Sequence, residues 1–383
     1  MYQFSVPMPY KKKEIDKLSE INNSVEKSKI TSLYFSLPSS NELFTGFEQP
    51  RNMILNITKF AYWKYLLSHS LNKGFDIIYC FNSPGNIQIQ NDKFPKKLEI
   101  LQKLLFELEK IGINKLRVAN PKLLSYLNKY YSQFILYGST ASDYKIIQEF
   151  QNLKEIHPYI KQIVPSHNIN KNFKLLKNLI KLNFDIEIML NEGCIQGCSN
   201  RFEHETELID CNLKNYDKFG YFPIDFCRKN CAKLELQNPF IYISKGNHIY
   251  PWEIHEYSKI GINKFKLTGR DGILDVSQSY LLTNLCKTYL KGIDNIKNIE
   301  NMRIVDFIGT LAGKEKLYNL KVKDIKNHLP NINHFKNRGE FCASSCFVKC
   351  KYCYKCAEKI QKVFEKKQKE LQKRSIPVCI MNK

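Results

Sequence analysis

Short apolar segments alternate with amphipathic segments along most of the chain, a pattern that predicts strands followed by helices. Residues 75–81 form an apolar run that ends in Asn-Ser-Pro-Gly, which is a turn signal. Apolar residues at helical spacing then extend over residues 98–111 and stop at Gly112, a residue type suited to a helix C-cap. The next predicted strand, residues 115–118, is closed by Ala-Asn-Pro.

The same alternation continues towards the C-terminus and predicts a barrel. Further strands are predicted at residues 30–37, 133–137, 162–165, 185–190, 240–244 and 264–268. Alternating strands and helices indicate parallel strands joined by helical crossovers. The sequence Lys-Ile-Gly-Ile-Asn-Lys occurs twice, at residues 110–115 and 259–264, and both copies are interpreted as the same connection from helix to strand.

Since the strand count approaches eight, we expect an α/β fold of the TIM-like (β/α) barrel type over residues 1–275. Residues 276–383 become mostly helical and polar, and they are predicted to form a C-terminal helical, cysteine-rich extension. No Gly-x-Gly-x-x-Gly or Gly-x-x-x-x-Gly-Lys-Ser/Thr motif follows a strand, which argues against a dinucleotide or P-loop nucleotide site.

Composition and charge add expectations about partners and location. Of 383 residues, 43% are hydrophobic, enough for a substantial core. There is no apolar run of about 18 residues and no signal-peptide pattern, so we expect a cytoplasmic protein without a membrane span. The 59 Lys and Arg against 37 Asp and Glu give a net charge of +22. This excess favours RNA or another polyanion as a partner; a lysine-rich composition unrelated to binding is the alternative.

The 13 cysteines are clustered. Ten fall in two groups, residues 194–231 and 342–356, and the others are Cys80, Cys286 and Cys379. Cysteines of a cytoplasmic protein are expected to be reduced, so clustering indicates metal binding rather than disulfides. Cys80 and Cys286 are predicted to be ordinary buried thiols.

The first group follows the predicted strand 185–190, at the edge where the catalytic loops of a barrel lie. Two pairs share a three-residue gap: Cys194 with Cys198, and Cys227 with Cys231. Four thiolates without a nearby ligating histidine favour a [4Fe–4S] cluster, and zinc remains the alternative. Cys211 lies between the pairs and could replace one of the four ligands.

The second group places five cysteines within residues 342–356 and is predicted to form a metal-binding knot. The tightest spacings single out Cys346, Cys350, Cys353 and Cys356 as ligands. A structural zinc and a second cluster both fit this set. The lysine-rich helix that follows, residues 357–373, is interpreted as a solvated face.

Charged residues near the first cysteine group are candidates for catalysis. Glu192 is placed to carry a proton or to accept hydrogen bonds, and capping of backbone N–H groups is its alternative role. His204 could hold or protonate a substrate, or be structural. Arg201 and Arg270 could clamp a carboxylate or phosphate. Lys266, Thr268 and Arg270 share one face of the last strand, which we expect at the barrel mouth; surface salt bridging is the alternative for these cations.

Three motifs together resemble the peptidase U32 family, the collagenase-like peptidases. The first is Asn191-Glu-Gly-Cys-x-x-x-Cys-x-x-Arg-x-x-His204, the second is Phe226-Cys-x-x-x-Cys231, and the third runs from Tyr257 to Arg270. The similarity extends from about residue 75 to residue 270. It implies a barrel in which four cysteines bind a [4Fe–4S] cluster. Two features depart from the family pattern: residues 251–254 read Pro-Trp-Glu-Ile, and the cysteine spacing differs from that of the RNA-hydroxylating members.

The resemblance also implies an activity. Members of the family act in oxygen-independent hydroxylation of transfer RNA uridine, ribosomal RNA cytidine and the ubiquinone ring, and others are named peptidases. We therefore expect an iron–sulfur-dependent hydroxylase or related redox enzyme that acts on RNA or a small aromatic acceptor. An electron donor or a second family member would be its partner. A collagenase-like peptidase is the first alternative, although no Gly-x-Ser-x-Gly or His-Glu-x-x-His motif occurs. A non-enzymatic zinc- and RNA-binding factor is the second.

Overall fold

A computed structural model describes residues 1–38, 41–48, 58–84, 94–192, 239–245, 248–268, 279–295, 298–307, 317, 319–337 and 351–374. Eight parallel strands close into a barrel in chain order, which confirms the predicted TIM-like fold. The strands are β1 (Tyr2–Pro7), β2 (Ser28–Phe35), β3 (Asp76–Phe81), β4 (Lys115–Val118), β5 (Ile135–Gly138), β6 (Gln162–Ile163), β7 (Asp185–Met189) and β8 (Lys264–Lys266).

Helices follow the strands and cover the outside of the barrel. They are α1 (Lys12–Asn23), α2 (Phe60–Asn72), α3 (Phe94–Ile111), α4 (Pro121–Tyr130), α5 (Ile147–Ile156), α6 (Phe173–Lys181), α7 (Pro239–Lys245), α8 (Ile254–Ser258), α9 (Ser279–Asp294), α10 (Val322–Ile325) and α11 (Tyr352–Arg374). In the described part of the chain, no helix is both long enough and apolar enough to cross a membrane.

Local sequence signals explain where α4 begins and what it buries. The side chain of Asn120 caps the helix by accepting hydrogen bonds from the backbone N–H groups of Lys122 and Leu123, at 2.9 and 3.1 Å. Pro121 follows at the first helical position, where its missing N–H costs no hydrogen bond. Three leucines of α4 are buried against the barrel: Leu123, Leu124 and Leu127.

The repeated Lys-Ile-Gly-Ile-Asn-Lys sequence forms the same connection in both places, as predicted. Gly112 and Gly261 have φ angles of +94° and +91°, in the region that favours glycine. In each copy the residue after the glycine donates a backbone hydrogen bond back into the helix, Ile113 to Leu108 at 2.9 Å and Ile262 to Tyr257 at 3.0 Å. This hydrogen bond ends the helix and directs the chain into the next strand.

The strand prediction was wrong at residues 240–244, which form helix α7. Pro239 occupies the start of the helix, where a proline is favoured, and the ring of Phe240 lies 5.3 Å from the ring of Phe364 in α11. The eighth strand is instead β1, near the N-terminus. Strand β1 pairs with both β2 and β8 and therefore closes the barrel.

Glu256 of α8 links the barrel to the C-terminal part of the chain. Its carboxylate contacts the Nζ atom of Lys259 at 2.7 Å and the Nε2 atom of His255 at 2.6 Å, and it also accepts a hydrogen bond from Lys336. Hydrogen bonds from Lys259 and Lys336 lower the pKa of Glu256 to about 2. The ionised carboxylate is therefore the form that the folded protein stabilises.

We expect acid to weaken this link before it unfolds the barrel. The pKa of Glu256 falls from 4.5 to about 2 on folding, so its contribution is complete above pH 4.5 and is lost as the pH falls towards 2. Between about pH 5 and pH 3, the thermal unfolding midpoint of wild type should therefore fall further than that of Glu256→Gln. Identical pH dependence in the two proteins would contradict this assignment.

Candidate active site at the barrel mouth

The carboxyl ends of the eight strands meet at one edge of the barrel, and polar residues are buried there. In TIM barrels this edge carries the active site. Buried polar residues that follow the strands include Asn82, Ser139, His167, Asn170, Asn191 and Glu192. Several of them pair with each other or with the backbone, as when the Ser139 hydroxyl donates to Asn82 Oδ1 at 2.7 Å. Burial of so many polar groups at one edge marks it as the candidate site.

Asn191 joins the ends of β7 and β8. Its Nδ2 atom donates to the Thr268 carbonyl oxygen at 2.9 Å, and its Oδ1 atom accepts from the Thr268 backbone N–H at 2.7 Å. The Thr268 hydroxyl in turn donates to the Asn191 carbonyl oxygen at 3.0 Å. Thr268 therefore lies beside Asn191, beyond the carboxyl end of β8.

Three buried ionisable side chains interact at the mouth beyond β6 and β7: Lys171, Glu192 and His248. All are at least nine-tenths buried. His248 is held near β7 because the next residue, Ile249, donates a backbone hydrogen bond to the carbonyl oxygen of Leu190 at 2.8 Å. Burial and, to a smaller extent, the positive charge of Lys171 lower the pKa of His248 to about 3, although Glu192 opposes the shift. His248 is therefore a neutral imidazole at physiological pH.

We expect the imidazole of His248 to stay neutral from about pH 8 to pH 5, where an ordinary histidine gains a proton. Its pKa is 6.5 before folding and about 3 in the folded protein. The folded state should thus lose stability as the pH falls below 6.5 towards 3. Titration of histidine side chains by NMR, with His248→Gln to assign the resonance, measures this directly. A His248 resonance that titrates near pH 6.5 would contradict it.

Lys266 points into the barrel. It is 2% exposed, and its Nζ atom lies 4.1 Å from the ring centroid of Tyr34 in β2. The Tyr34 hydroxyl donates a hydrogen bond to the Leu267 carbonyl oxygen at 2.8 Å, which links β2 to the end of β8 next to Lys266. A cation over an aromatic face is stabilised by the ring quadrupole. The predicted catalytic role of Lys266 remains a prediction.

Closer to the amino ends of the strands, the interior of the barrel contains a buried ion pair that was not predicted from the sequence. The Glu187 carboxylate accepts hydrogen bonds from Ser5 Oγ, from Arg117 Nη2 and from Gln162 Nε2, the last at 2.9 Å. Arg117 is 0% exposed. Its Nε and Nη1 atoms have no hydrogen-bond partner among the residues described, so ordered water is the expected acceptor. The signal was present as charged residues alternating with apolar ones in β4 and β7.

Comparison with known proteins identifies one curated relative. The chain is 20% identical over 356 residues to a protein of Methanocaldococcus jannaschii named "Uncharacterized protease MJ1657", and the alignment covers 91% of this chain and 94% of that protein. No protein-family model matches the chain. The chain is therefore similar, over most of its length, to a protein that is named a protease.

Solved structures similar to this chain include a U32 peptidase and two other proteins. The U32 peptidase Mk0906 has a TM-score of 0.44 at 8% identity, over 70% of this chain and 92% of that one. CpGH84B has a TM-score of 0.36 at 10% identity, over 97% of this chain and 73% of that one. A GH113 β-1,4-mannanase has a TM-score of 0.36 at 11% identity, over 70% of this chain and 87% of that one.

Most of the predicted ligands lie outside the described residues. These ligands are Cys194, Cys198, Cys211, Cys227 and Cys231 of the segment 193–238, with Cys346 and Cys350. The predicted catalytic residues Arg201, His204 and Arg270 also lie outside the described residues. Within the described ranges, no group of three or more His, Cys, Asp and Glu side chains could hold a metal ion. The segment 193–238 begins directly after Glu192 at the barrel mouth.

The other predicted cysteines are described. Cys353 and Cys356 are buried and lie three residues apart on α11, and Cys353 packs against Phe335. The Phe335 ring also lies 4.6 Å from the Nζ atom of Lys171, so α11 is close to the mouth. Cys80 and Cys286 are buried, as predicted for ordinary thiols. Burial raises the pKa of Cys286, which therefore stays protonated.

Proposed function

We propose that this chain is an iron–sulfur-dependent redox enzyme, an oxygen-independent hydroxylase or a related enzyme, that acts on RNA or a small aromatic acceptor. The observation that supports it is the position of Glu192 at the active-site edge of a closed barrel, because the cysteine-bearing segment 193–238 follows Glu192 directly in the sequence. Substrates of TIM-barrel enzymes bind at this edge. Cysteines that follow Glu192 in the sequence would therefore be close to a bound substrate.

The donor set fits a [4Fe–4S] cluster. Cys194, Cys198, Cys227 and Cys231 would provide four thiolates, the usual ligands of such a cluster. When bound, the cluster would supply one-electron transfer at a potential set by its hydrogen bonds and exposure. Lys171 and Lys266, two buried cations of the described site, would favour an electron-rich centre nearby.

The chain's own residues at the mouth can bind substrate and hold a proton. Glu192 is a buried carboxylate, and its Oε atoms are suited to accept a hydrogen bond or a proton from a substrate hydroxyl. His248 is neutral, so its ring has one nitrogen that donates and one that accepts. Lys171 and Glu192 carry opposite charges, and both act on His248. These three side chains could exchange a proton with a bound substrate while the site stays closed to bulk water.

The net charge of +22 supports RNA as the substrate class. A protein that neutralises phosphates releases counterions, so binding should weaken steeply with salt. A small aromatic acceptor would show no such dependence. Electrophoretic mobility of RNA mixed with the protein at several salt concentrations separates the two substrate classes.

Peptide hydrolysis is the second candidate, because the curated relative is named a protease. A peptidase needs an activated nucleophile or a metal-bound water near the scissile bond. Gelatin cleavage that survives changing Cys194, Cys198, Cys227 and Cys231 together to alanine would favour this candidate over the redox enzyme.

The redox function is tested by the nucleosides and quinones of cells with and without the gene. We expect one hydroxylated species to disappear in the deletion strain under anaerobic growth. Wild type should restore it, whereas the four-alanine variant should not; Cys286→Ala, which changes a buried thiol outside the cysteine groups, serves as the control. An unchanged set of hydroxylated species would overturn the proposal.

A further inference from the structure

Residues 331–336 of the C-terminal extension connect α11 to the barrel. On one side, the ring of His334 stacks on the ring of Tyr352 in α11, with their centroids 3.8 Å apart. On the other side, Lys336 forms an ion pair with Glu256 of α8. The residue between His334 and Lys336 is therefore held from both directions.

That residue is Phe335, and its ring covers Lys171 at the mouth. Phe335 is 2% exposed, and its ring centroid lies 4.6 Å from the Lys171 Nζ atom. Lys171 is itself 5% exposed, so little water reaches its ammonium group. A cation over an aromatic ring is held more strongly when it is desolvated. A residue from outside the barrel sequence therefore contacts a buried cation of the candidate site.

Lys171 influences two other buried ionisable side chains. Burial is the main cause of the low pKa of His248, and the charge of Lys171 adds to it. Burial raises the pKa of Glu253, and Lys171 opposes that rise. Both effects depend on where the ammonium group lies, because electrostatic interactions weaken with distance. Since a lysine side chain has a flexible four-carbon stem, the groups around it must fix that position.

We propose that Phe335 is a positioning residue of the candidate active site, which holds the ammonium group of Lys171 at a fixed distance from His248. The C-terminal extension thereby supplies part of the wall of the mouth. This inference rests on the proposed function, because it takes Lys171 as one of the residues that bind substrate and hold a proton. Its first two tests require neither bound metal nor substrate.

Lys154 and Phe184 provide a matched contact at the opposite end of the barrel. The Lys154 Nζ atom lies 4.9 Å from the centroid of the Phe184 ring, and Phe184 is 4% exposed. Phe184 precedes β7, whereas the mouth lies beyond the carboxyl ends of the strands. Phe335→Leu and Phe184→Leu each remove a buried ring from a lysine and keep an apolar side chain. Both should lower the thermal unfolding midpoint, and only Phe335→Leu should change the mouth.

NMR of protein labelled with carbon-13 at the ε-carbon of lysine tests the contact. The ring current of Phe335 should shift the Lys171 signal upfield in wild type and in Phe184→Leu. The shift should be lost in Phe335→Leu, and Lys171→Met assigns the signal. Pentafluorophenylalanine in place of Phe335 keeps the ring but reverses its quadrupole, so it should also release the ammonium group. An unshifted Lys171 signal in wild type would overturn the proposal.

A double-mutant cycle tests whether Phe335 acts through Lys171. Phe335→Leu should raise the pKa of His248 by about 1 pH unit, because a positive charge moves away from the imidazole. Lys171→Met should also raise it, and adding Phe335→Leu to Lys171→Met should have no further effect. If Phe335→Leu has the same effect with and without Lys171, it acts by changing burial alone, and the positioning role is wrong.

Complementation of the deletion strain separates this inference from the proposed function. Phe335→Leu should restore less of the hydroxylated species than Phe184→Leu does. If the NMR results are as expected but no hydroxylated species depends on the gene, the proposed function fails and the positioning role stands. If such a species does depend on the gene and both variants restore it fully, the positioning role fails and the proposed function stands.

Discussion

Replacing Glu187 with alanine should cost the protein about 3–5 kcal/mol, because Arg117 would remain charged and buried without a counter-ion. The Glu187 carboxylate is 2% exposed and the Arg117 guanidinium 0%, so water cannot solvate the charge that is left. Domains of ordinary stability have only about 5–15 kcal/mol in total. Urea unfolding measures the loss.

Two further variants keep this prediction testable if Glu187→Ala does not fold. Glu187→Gln retains the side-chain volume and should still be strongly destabilised, since only the charge changes. Asp185→Asn, two residues earlier in β7, removes the Lys264 ion pair, whose side chains are 33% and 46% exposed, and should cost about 0–1 kcal/mol. Equal stability of Glu187→Gln and wild type would contradict the assigned ion pair.

Changing one cysteine from each predicted pair should remove the cluster. Cys194→Ala and Cys227→Ala each leave three thiolates where four are needed, and we expect iron from this site to fall from about four atoms to less than one. Cys211→Ala distinguishes the ligand sets, because it loses iron only if Cys211 is a ligand. Cys286→Ala, buried in α9, should keep the iron of wild type. Full iron content in both paired-cysteine variants would contradict the ligand assignment.

The barrel was predictable because its strand–helix alternation is a local signal repeated many times. The two errors came from tertiary context. Residues 240–244 are rich in β-branched and aromatic side chains and match a strand, yet Pro239 and contact with α11 favour a helix. Strand β1 lies close to the N-terminus and has no preceding helix, so the alternation that revealed the other strands gave no indication of it.

The lumen and the mouth were predictable only in part. Alternation in the predicted strand 264–268 was enough to place Lys266 on the inner face, where it lies over the ring of Tyr34. The partner of a buried charge could not be predicted in this way, because Arg117 and Glu187 are 70 residues apart and meet only when the barrel closes. Lys171 and His248 were missed for the same reason: neither lies in a motif, and the fold brings Lys171 and Glu192 to His248 from distant parts of the sequence. The cysteine motifs predict a metal site from spacing alone, and that site remains a prediction.

Thiolates of the segment 193–238, which follows Glu192 in the sequence, are proposed to hold iron. Mössbauer spectroscopy of anaerobically purified protein enriched in iron-57, with iron, sulfide and zinc counted in the same sample, tests it most directly. We predict a brown protein with about four iron and four sulfide per cluster and the spectrum of a [4Fe–4S] centre. A colourless protein with stoichiometric zinc, or one whose cysteines are joined as disulfides, would contradict it.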